Sequence, residues 1–397
     1  MWQGRRIVLG VTGGIAAYKC VLLARELTQR GALVDVVLSR GASEFIGAPT
    51  FEAVTRRLVH TSLWERGTAL EHVTLARDAD LVIVAPATAN VIARLAAGMA
   101  DDFLTALVLA GAAPILLAPA MNDEMYANSA TQANLGLLRD RGWQTVGPVL
   151  GALAEGPSDR PGRMAEPAEI MAHAARVVRG AGALSGRRLV VTAGPTRESI
   201  DPVRVLTNRS SGKMGYRIAD AAWIRGAEVT LISGPSAERA IDGVHLVPVQ
   251  TTTEMADAVR SALSSADILV MAAAPADYRA AAPRDRKLPR GEGGFSLELV
   301  PTDDILLATL AARPSDLTAV GFALETGNAI EKGHAKLDRK QLDLIVINDA
   351  EEEGAGFEVD TNAVTILNRR GGSQRVALRS KGEIAEAILD AVEAYRG

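Results

Sequence analysis

Ile7–Gly14 reads IVLGVTGG, an apolar run that stops at a hydroxyl and two glycines. The apolar part is typical of a buried β-strand, and Thr12–Gly13–Gly14 stands where a tight turn would lead into a helix. Glycines in such a turn let the main chain approach a phosphate, and a helix N-terminus favours an anion. A turn that binds nothing has the same pattern, so both interpretations remain open from this motif alone.

Short apolar strands and helical stretches alternate along the rest of the first half. This alternation predicts parallel strands joined by helical crossovers, as in a doubly wound α/β domain. The predicted strands are Ile7–Val11, Leu33–Ser39, Leu81–Ala87 and Pro114–Ala120, and the predicted helices are Ile15–Arg30, Thr88–Gly98 and Ser129–Arg141.

The same alternation restarts after a small, flexible run at Gly180–Gly186. LVVTAGPT at Leu189–Thr196 echoes the first strand and turn, and RGAEVTLISG at Arg225–Gly234 echoes RGALVDVVLS at Arg30–Ser39. We favour two unrelated domains that obey the same rules over a recent duplication. The sequence therefore predicts an α/β protein with two doubly wound, Rossmann-like domains, 1–182 and 183–397, each with a ligand crevice at the carboxyl ends of its strands.

An antiparallel pair is predicted near the end of the chain. Its strands would be Ala363–Leu367 and Arg375–Arg379, joined through the turn Arg370–Gly371–Gly372. A helix from Lys381 to Tyr395 would close the second domain.

Composition restricts the class of protein. Apolar residues make up 48% and charged residues 23%, so each half can bury a core. The net charge is −4 without a basic block, which argues against nucleic acid as a partner. One cysteine, Cys20, excludes an internal disulfide and suits a cytoplasmic protein. No apolar run reaches the ~20 residues needed to span a bilayer, so no membrane partner is expected.

Small, hydroxylic and amide residues follow the later strands of the first half. APATAN at Ala85–Asn90, ADDFLT at Ala100–Thr105 and PAMN at Pro119–Asn122 all stand at or near strand ends. The glycine pattern GxGxxG is absent, and Ser39, not an acid, ends the second strand. These two features argue against a nicotinamide-dependent oxidoreductase and favour a terminal phosphate over a dinucleotide.

Together with GGIAAYK at Gly13–Lys19 and EHVTLARDAD at Glu71–Asp80, these motifs resemble the FMN-dependent cysteine decarboxylases over Arg6 to about Glu169. The resemblance implies a flavodoxin-like FMN domain. It implies that His72 is catalytic and that Asn122 holds the substrate carboxylate. The residues that it places around the flavin are Gly13, Gly14, Ser39, Thr88 and Asn90.

The chain departs from this family in a flap, Gly151–Pro161, that precedes Gly162–Arg163–Met164. Where the family has a cysteine that supports return of electrons to the product, this sequence has Glu155. Two outcomes remain open. Either Glu155 donates the proton once the closed flap removes it from water, or the enzyme stops at the oxidised enethiol. We favour the first, with Glu155 or a neighbouring acid as the donor, because the rest of the pathway needs the reduced product.

In the second half, AGPTRE at Ala193–Glu198 and NRSSGKMG at Asn208–Gly215 are predicted at strand-to-helix passages. Since GxxxxGK[ST] is absent, we interpret the second motif as an anion cradle rather than a P-loop. Later motifs are AAAPADYR at Ala272–Arg279, the stretch Lys287–Arg290, which has only two cations, and GFALET at Gly321–Thr326.

This set resembles the phosphopantothenate–cysteine ligases over about Gly186–Gly397. The resemblance implies that Asn208 stabilises an acyl-nucleotide intermediate and that Lys287 neutralises phosphate charge. It implies CTP and Mg²⁺ as reactants, with the metal ligands unknown. The predicted nucleotide-binding residues are Ala272, Ala273, Asp277, Lys287, Thr302, Asp304, Ile305, Phe322, Lys336 and Lys340.

The order of the two halves matches the bacterial fusion of phosphopantothenoylcysteine decarboxylase with its ligase. That resemblance implies a homo-oligomeric enzyme that joins 4′-phosphopantothenate to cysteine and then decarboxylates the product to 4′-phosphopantetheine. One alternative is a flavin-binding regulatory protein. The presence of both His72 and Asn122 argues against it. A flavoprotein acting on a peptide cysteine would leave the second half without a purpose.

Overall fold

The structure is a computed structural model that describes residues 1–64, 70–288, 296–325, 327–349, 354 and 359–397. The predicted motif residues Arg290 and Thr326 lie outside these ranges. The chain divides into two compact units, Met1–Gly180 and Ala181–Gly397.

The first unit alternates strands with helices, as the sequence predicts. Its elements are β1 (Arg6–Val11), α1 (Ala17–Gln29), β2 (Leu33–Leu38), α2 (Arg40–Ser43), α3 (Ala48–Thr55), β3 (Val59–His60), α4 (Glu71–Asp78), β4 (Leu81–Ala87), α5 (Ala89–Ala96), α6 (Phe103–Ala110), β5 (Ile115–Pro119), α7 (Asp123–Ala127), α8 (Ser129–Asp140), β6 (Gln144–Thr145) and α9 (Pro167–Arg179).

These strands form one parallel sheet in the order β3-β2-β1-β4-β5-β6. The central strand β1 lies between β2 and β4, and Ile7, Leu9 and Val11 are fully buried. The chain crosses from one side of β1 to the other after β3, which places a topological switch point between β1 and β4. Ligands of doubly wound sheets bind in the crevice at such a point.

The second unit also begins with alternating strands and helices, but it ends with two antiparallel strands and a helix. Its elements are β7 (Arg188–Ala193), β8 (Arg197–Ser199), β9 (Val205–Thr207), α10 (Lys213–Ile224), β10 (Glu228–Ser233), β11 (His245–Pro248), α11 (Thr252–Leu263), β12 (Ile268–Met271), β13 (Tyr278–Ala280), β14 (Leu299–Pro301), α12 (Ile305–Ala308), a 3₁₀ turn (Leu310–Ala312), β15 (Thr318–Glu325), α13 (Ala329–Arg339), β16 (Leu344–Asp349), β17 (Thr361–Asn368), β18 (Ser373–Ser380) and α14 (Lys381–Arg396).

Its main sheet has the order β11-β10-β7-β12-β15-β16-β17-β18. The strands from β11 to β16 are parallel, and β17 and β18 are antiparallel to their neighbours. The predicted antiparallel pair and closing helix are therefore confirmed, as is the prediction of doubly wound α/β domains. The predicted passage from β7 to α10 differs, because a short hairpin, β8–β9, stands between them.

Arg225, just after α10, holds the closing helix α14 in place. Its side chain is 2% exposed, and its guanidinium contacts the carboxylates of Glu386, Asp390 and Glu393, which are spaced along one face of α14. It donates to Asp390 at 2.6 Å and to Glu393 at 2.9 Å. Burial by itself would lower the pKa of Arg225, but these carboxylates raise it. The cluster connects the C-terminal helix α14 to the end of α10.

None of the helices in the described ranges is both long enough and apolar enough to cross a bilayer.

Candidate active sites

A cavity of about 720 Å³ opens at the carboxyl edge of the first sheet. It lies at the β1/β4 switch point, between the turn after β1, the start of α5 and the flap that precedes Gly162. Seven of the predicted residues line it: Gly13, Gly14, Ser39, Thr88, Asn90, Asn122 and Glu155.

The turn after β1 is fixed by close main-chain contacts. A Cβ on Gly13 would lie 2.7 Å from the carbonyl carbon of Gly41, so only glycine fits there. Thr12 donates from its hydroxyl to the carbonyl of Pro86 at 2.5 Å and accepts from the N–H of Thr88 at 3.3 Å. These bonds hold the ends of β1 and β4 together beneath the cavity.

Four cationic side chains that the sequence analysis did not select also line the cavity: Lys19, Arg40, Arg94 and Arg163. Arg94 lies one helical turn beyond Asn90 on α5, so helical spacing could have revealed it. Its guanidinium donates to Asp102 at 2.8 Å, and Asp102 also caps α6. The motif ADDFLT therefore orients Arg94 as well as starting a helix.

Lys19 anchors the base of the flap. The side chain is 7% exposed, and its ammonium donates to Glu166 at 2.8 Å and to the carbonyl of Met164 at 3.4 Å. Arg163 donates to the same Glu166 carboxylate at 2.6 Å. The lysine of the motif GGIAAYK thus fixes the segment that follows the flap.

The flap contacts three successive residues at the start of α7, and the third of them, Glu124, pairs with Arg160. Asn122 caps α7 by accepting from the N–H of Glu124 at 2.9 Å, and its amide donates to the carboxylate of Glu155. Ser158 donates to Asp123 at 2.5 Å. Asn122 is therefore both a helix cap and a side chain in the cavity, and its amide already binds a carboxylate.

His72 is not part of this cavity. It lies in a separate shallow groove whose other lining residues are Leu63, Trp64, Ala100, Ala106, Leu109 and Ala110. Its ring meets Phe103 edge-on at 6.1 Å, and its buried Nδ1 has no hydrogen-bond partner among the described residues. Trp64 is 89% exposed and Leu109 61%. One chain therefore does not bring His72 to Asn122.

Cys20 lies in the core of the first unit. Its thiol is fully buried and contacts the carbonyl of Ala85 at 2.9 Å. Burial raises the pKa of the Cys20 thiol, so it stays protonated and cannot replace a flap cysteine.

In the second unit, glycines meet at the corresponding edge of the sheet. Gly194, after β7, has φ +74°, and a Cβ there would lie 3.1 Å from the carbonyl oxygen of Gly234, after β10. Gly212, which caps α10, packs against Gly194 in turn. This arrangement matches the contact of Gly13 with Gly41 in the first unit and supports the interpretation of an anion cradle.

Asn208 and Thr302 lie around the segment that follows β12. The Asn208 amide donates to the carbonyls of Ala274 at 3.2 Å and Pro275 at 2.9 Å. Thr302 donates from its hydroxyl to the carbonyl of Ala276 at 2.5 Å, and its N–H donates to the carbonyl of Asp277. The Asp277 side chain is exposed. Asn208, Asp277 and Thr302 are thus brought together around one loop.

The segment also contains Ala272 and Ala273, both half-buried. The N–H of Ala273 donates to the hydroxyl of Thr192 at 3.1 Å, which ties the end of β12 to β7.

Two of the predicted nucleotide residues bind each other. Lys340 forms an ion pair with Asp304 at 2.9 Å, and Asp304 caps α12. Helix α13 ends at Arg339, so Lys340 is its C-cap while Lys336 lies in the last turn. The ion pair brings the end of α13 next to the start of α12.

Ile305, another predicted nucleotide-binding residue, is buried. Its side chain is 3% exposed and belongs to the hydrophobic core of the second unit, so only its main chain can contact a ligand. Phe322 is half-buried in β15, and Lys287 is exposed in an irregular segment after β13. Within the described ranges, no group of three or more His, Cys, Asp or Glu side chains is arranged to hold a metal ion.

Two family models match the chain, one for each unit. The family described as flavoprotein matches residues 1–179. The family described as DNA/pantothenate metabolism flavoprotein C-terminal domain matches residues 184–395.

Curated relatives match both units at once. The coenzyme A biosynthesis bifunctional protein of Vibrio cholerae is 44% identical over 97% of this chain and 97% of its own length. The protein of the same name from Bacillus subtilis is 42% identical over 99% and 98%. That from Mycobacterium tuberculosis is 44% identical over 98% and 97%.

Solved structures match one unit at a time. The C-terminal domain of a coenzyme A biosynthesis bifunctional protein is 39% identical, covers 53% of this chain and 96% of its own, and has a TM-score of 0.45. The FMN-dependent cysteine decarboxylase SpaF is 29% identical, covers 44% and 99%, and has a TM-score of 0.37. On the two family models and the full-length relatives, the chain belongs to the family of coenzyme A biosynthesis bifunctional proteins, enzymes with a flavoprotein domain followed by a ligase domain.

Proposed function

We propose that residues 183–397 join 4′-phosphopantothenate to cysteine with CTP and that residues 1–182 decarboxylate the product with FMN. The observation that carries the decarboxylase assignment is the cavity at the β1/β4 switch point. There the glycine turn and Ser39 would bind a phosphate, and an amide that binds a carboxylate faces the flap. We place both reactions in the cytoplasm.

The residues of the cavity fit FMN. Gly13, Gly14 and Ser39 stand where main-chain N–H groups and a hydroxyl can hold its terminal phosphate. Thr88 and Asn90 begin α5 beside them and would contact the ring system. The volume of about 720 Å³ suits a ligand of this size.

FMN would supply a two-electron oxidation of the substrate thiol and later return those electrons. Loss of CO₂ from the cysteine part of the substrate leaves an electron pair on carbon. Oxidation of the thiol to a thioaldehyde provides a group that can accept this pair. The protein then has to hold the carboxylate and move protons. Asn122 is suited to the first task, because its oxygen is fixed by the N–H of Glu124 and its amide donates to a carboxylate that also lines the cavity.

Glu155 is the proton donor that we propose in place of a flap cysteine. Reduction of the enethiol to the thiol adds two electrons and two protons, and an acid on the flap can supply one proton. The contact of Glu155 with the Asn122 amide places its carboxyl group beside the predicted carboxylate-binding group. The substrate carboxylate would displace it there, and the closed flap would keep it near the reacting carbon.

Glu155→Gln is expected to keep CO₂ release and to accumulate the enethiol, because glutamine accepts the Asn122 contact but donates no proton. The measurement is mass spectrometry of the product, which should be lighter than 4′-phosphopantetheine by two hydrogen atoms. Glu124→Gln is the matched control, since Glu124 also meets the flap, through Arg160, and should leave the product unchanged. Formation of 4′-phosphopantetheine by Glu155→Gln at the parent rate would remove Glu155 from this role.

His72 would act from a second copy of the chain. The supporting observations are its position outside the flavin cavity and the exposed apolar rim of Trp64 and Leu109 around it, which a neighbouring subunit could cover. Histidine changes protonation near neutral pH, so it can move a proton once it reaches the substrate. This proposal makes the decarboxylase a homo-oligomer.

Co-expression of a His72→Asn chain with an Asn122→Ala chain tests this arrangement. Each variant alone should be inactive. If each site takes His72 and Asn122 from different chains, random assembly restores about a quarter of the sites to the parental pair. Mixed oligomers as inactive as the single variants would place both residues in one chain.

The ligase reaction needs an activated carboxylate. Transfer of CMP from CTP to 4′-phosphopantothenate forms a mixed anhydride and releases pyrophosphate; the cysteine amine then attacks the acyl carbon and CMP leaves. We propose that Asn208 stabilises the acyl nucleotide, that Lys287 neutralises phosphate charge, and that Mg²⁺ is held mainly by the nucleotide phosphates. The remaining nucleotide contacts would come from Ala272, Ala273, Asp277, Thr302, Asp304, the main chain of Ile305, Phe322, Lys336 and Lys340.

A further inference from the structure

The turn of the β8–β9 hairpin contains a carboxylate that is entirely buried. The Asp201 side chain is 0% exposed. Its Oδ1 accepts from the N–H groups of Val203 and Arg204, both at 2.8 Å. Its Oδ2 accepts from the N–H of Leu288 at 3.1 Å, although Leu288 is 87 residues away along the chain.

Two more bonds connect this turn to the same distant segment. The Arg204 guanidinium lies 3.4 Å from Asp201 and donates to the carbonyl of Leu288 at 3.1 Å. Before it, the N–H of Arg284 donates to the carbonyl of Ile200 at 3.0 Å. Residues 284–288 are therefore fastened to the hairpin turn at both ends, while Lys287 between them is exposed.

We infer that Asp201 and Arg204 are positioning residues of the ligase site, which hold the main chain of Leu288 so that the Lys287 ammonium faces the transferring phosphate. This inference rests on the proposed role of Lys287. Asp201 binds the N–H of Leu288, and Arg204 binds its carbonyl. These two bonds fix the main chain at Leu288 and so orient the Cα–Cβ bond of Lys287, the residue before it. A lysine on an unfastened loop would have to be ordered in each turnover.

The charges agree with this arrangement. Burial by itself would raise the pKa of Asp201, but the N–H groups of Val203, Leu288 and Arg204 lower it below its ordinary range. Asp201 is thus a carboxylate held ionised by its own anchoring bonds and by Arg204. The Asp201 carboxylate pairs with Arg204 of the same hairpin and not with Lys287, so the Lys287 ammonium can bind a phosphate.

Asp201→Asn tests the inference because it keeps the size and one acceptor but turns an amide N–H₂ towards the N–H of Leu288. Asp267→Asn is the matched control, since Asp267 also accepts a main-chain N–H, that of Arg188 at 2.8 Å, at the amino edge of the sheet. Both variants are made in the full chain, and hydrogen exchange of the buried β7 and β12 amides checks that the second unit of each one folds.

In Asp201→Asn, hydrogen exchange at the Leu288 amide should accelerate by about tenfold or more, and the kcat of ligation should fall by about 10–100-fold with a smaller change in the KM for CTP. Asp267→Asn should change neither quantity. Ligation at the parent rate in Asp201→Asn, or loss of ligation with unchanged exchange at Leu288, would overturn the positioning role. The proposed role of Lys287 is tested independently of this inference: ligation by Lys287→Gln at the parent rate would contradict it.

Discussion

Replacing Lys287 by glutamine is expected to lower the rate of amide formation by about 10²–10³-fold, the cost of removing one preorganised group that stabilises transition-state charge. The side chain is exposed and lies in a segment fixed by the β8–β9 hairpin, so its loss should not affect folding. Decarboxylation of supplied phosphopantothenoylcysteine should continue at the parent rate. The measurement is product formation from each substrate in one preparation of the full chain.

Arg286→Gln is the control for this experiment, because Arg286 is a neighbouring exposed cation to which we assign no contact with substrate. It should ligate at the parent rate. Equal loss in both variants would mean that the net charge of the loop matters rather than Lys287. Loss of decarboxylation together with ligation would contradict the separation of the two sites.

The largest effect on stability is expected from Arg225→Met. This change removes a side chain that is 2% exposed and leaves the carboxylates of Glu386, Asp390 and Glu393 facing one another. Breaking a buried ion pair by removing one partner costs about 3–5 kcal/mol. Because the three carboxylates are themselves partly exposed, we expect the lower end of that range, measured by hydrogen exchange of the α10 and α14 amides in urea.

Arg217→Met gives the comparison within α10, the helix that Arg225 follows. Arg217 is 44% exposed and pairs with Asp220 and Glu238, and surface pairs contribute about 0–1 kcal/mol. The free energy of unfolding of the second unit should therefore change little. If Arg225→Met is no more destabilising than Arg217→Met, α14 is held by its apolar contacts alone.

Much of the parallel sheets could be predicted from sequence because many of their strands, such as β1 and β4, are short apolar runs. The echo between the two halves also has a structural counterpart, since the glycine after each first strand meets a glycine after the next strand, Gly13 with Gly41 and Gly194 with Gly234. The hairpins β8–β9 and β13–β14 escaped prediction, because strands of three residues carry too little periodicity.

Contacts between distant residues were the least predictable part of the sites. The motif order along the chain gives no sign that His72 lies in its own groove, away from Asn122. Nor does it reveal that Asp304 pairs with Lys340 or that Ile305 packs into the core. Arg94 could have been found from its spacing to Asn90, whereas the bond from Asp201 to Leu288 depends on a fold that brings positions 87 residues apart together.

The measurement that tests the central claim most directly is a product assay with the full chain, 4′-phosphopantothenate, cysteine, Mg²⁺ and either CTP or ATP. With CTP we expect 4′-phosphopantetheine, CO₂, CMP and pyrophosphate, and FMN released from the protein on denaturation. Amide formation with ATP while CTP is inactive would contradict the nucleotide assignment. Release of phosphopantothenoylcysteine without CO₂, from a protein that yields no FMN, would contradict the claim that one chain performs both reactions.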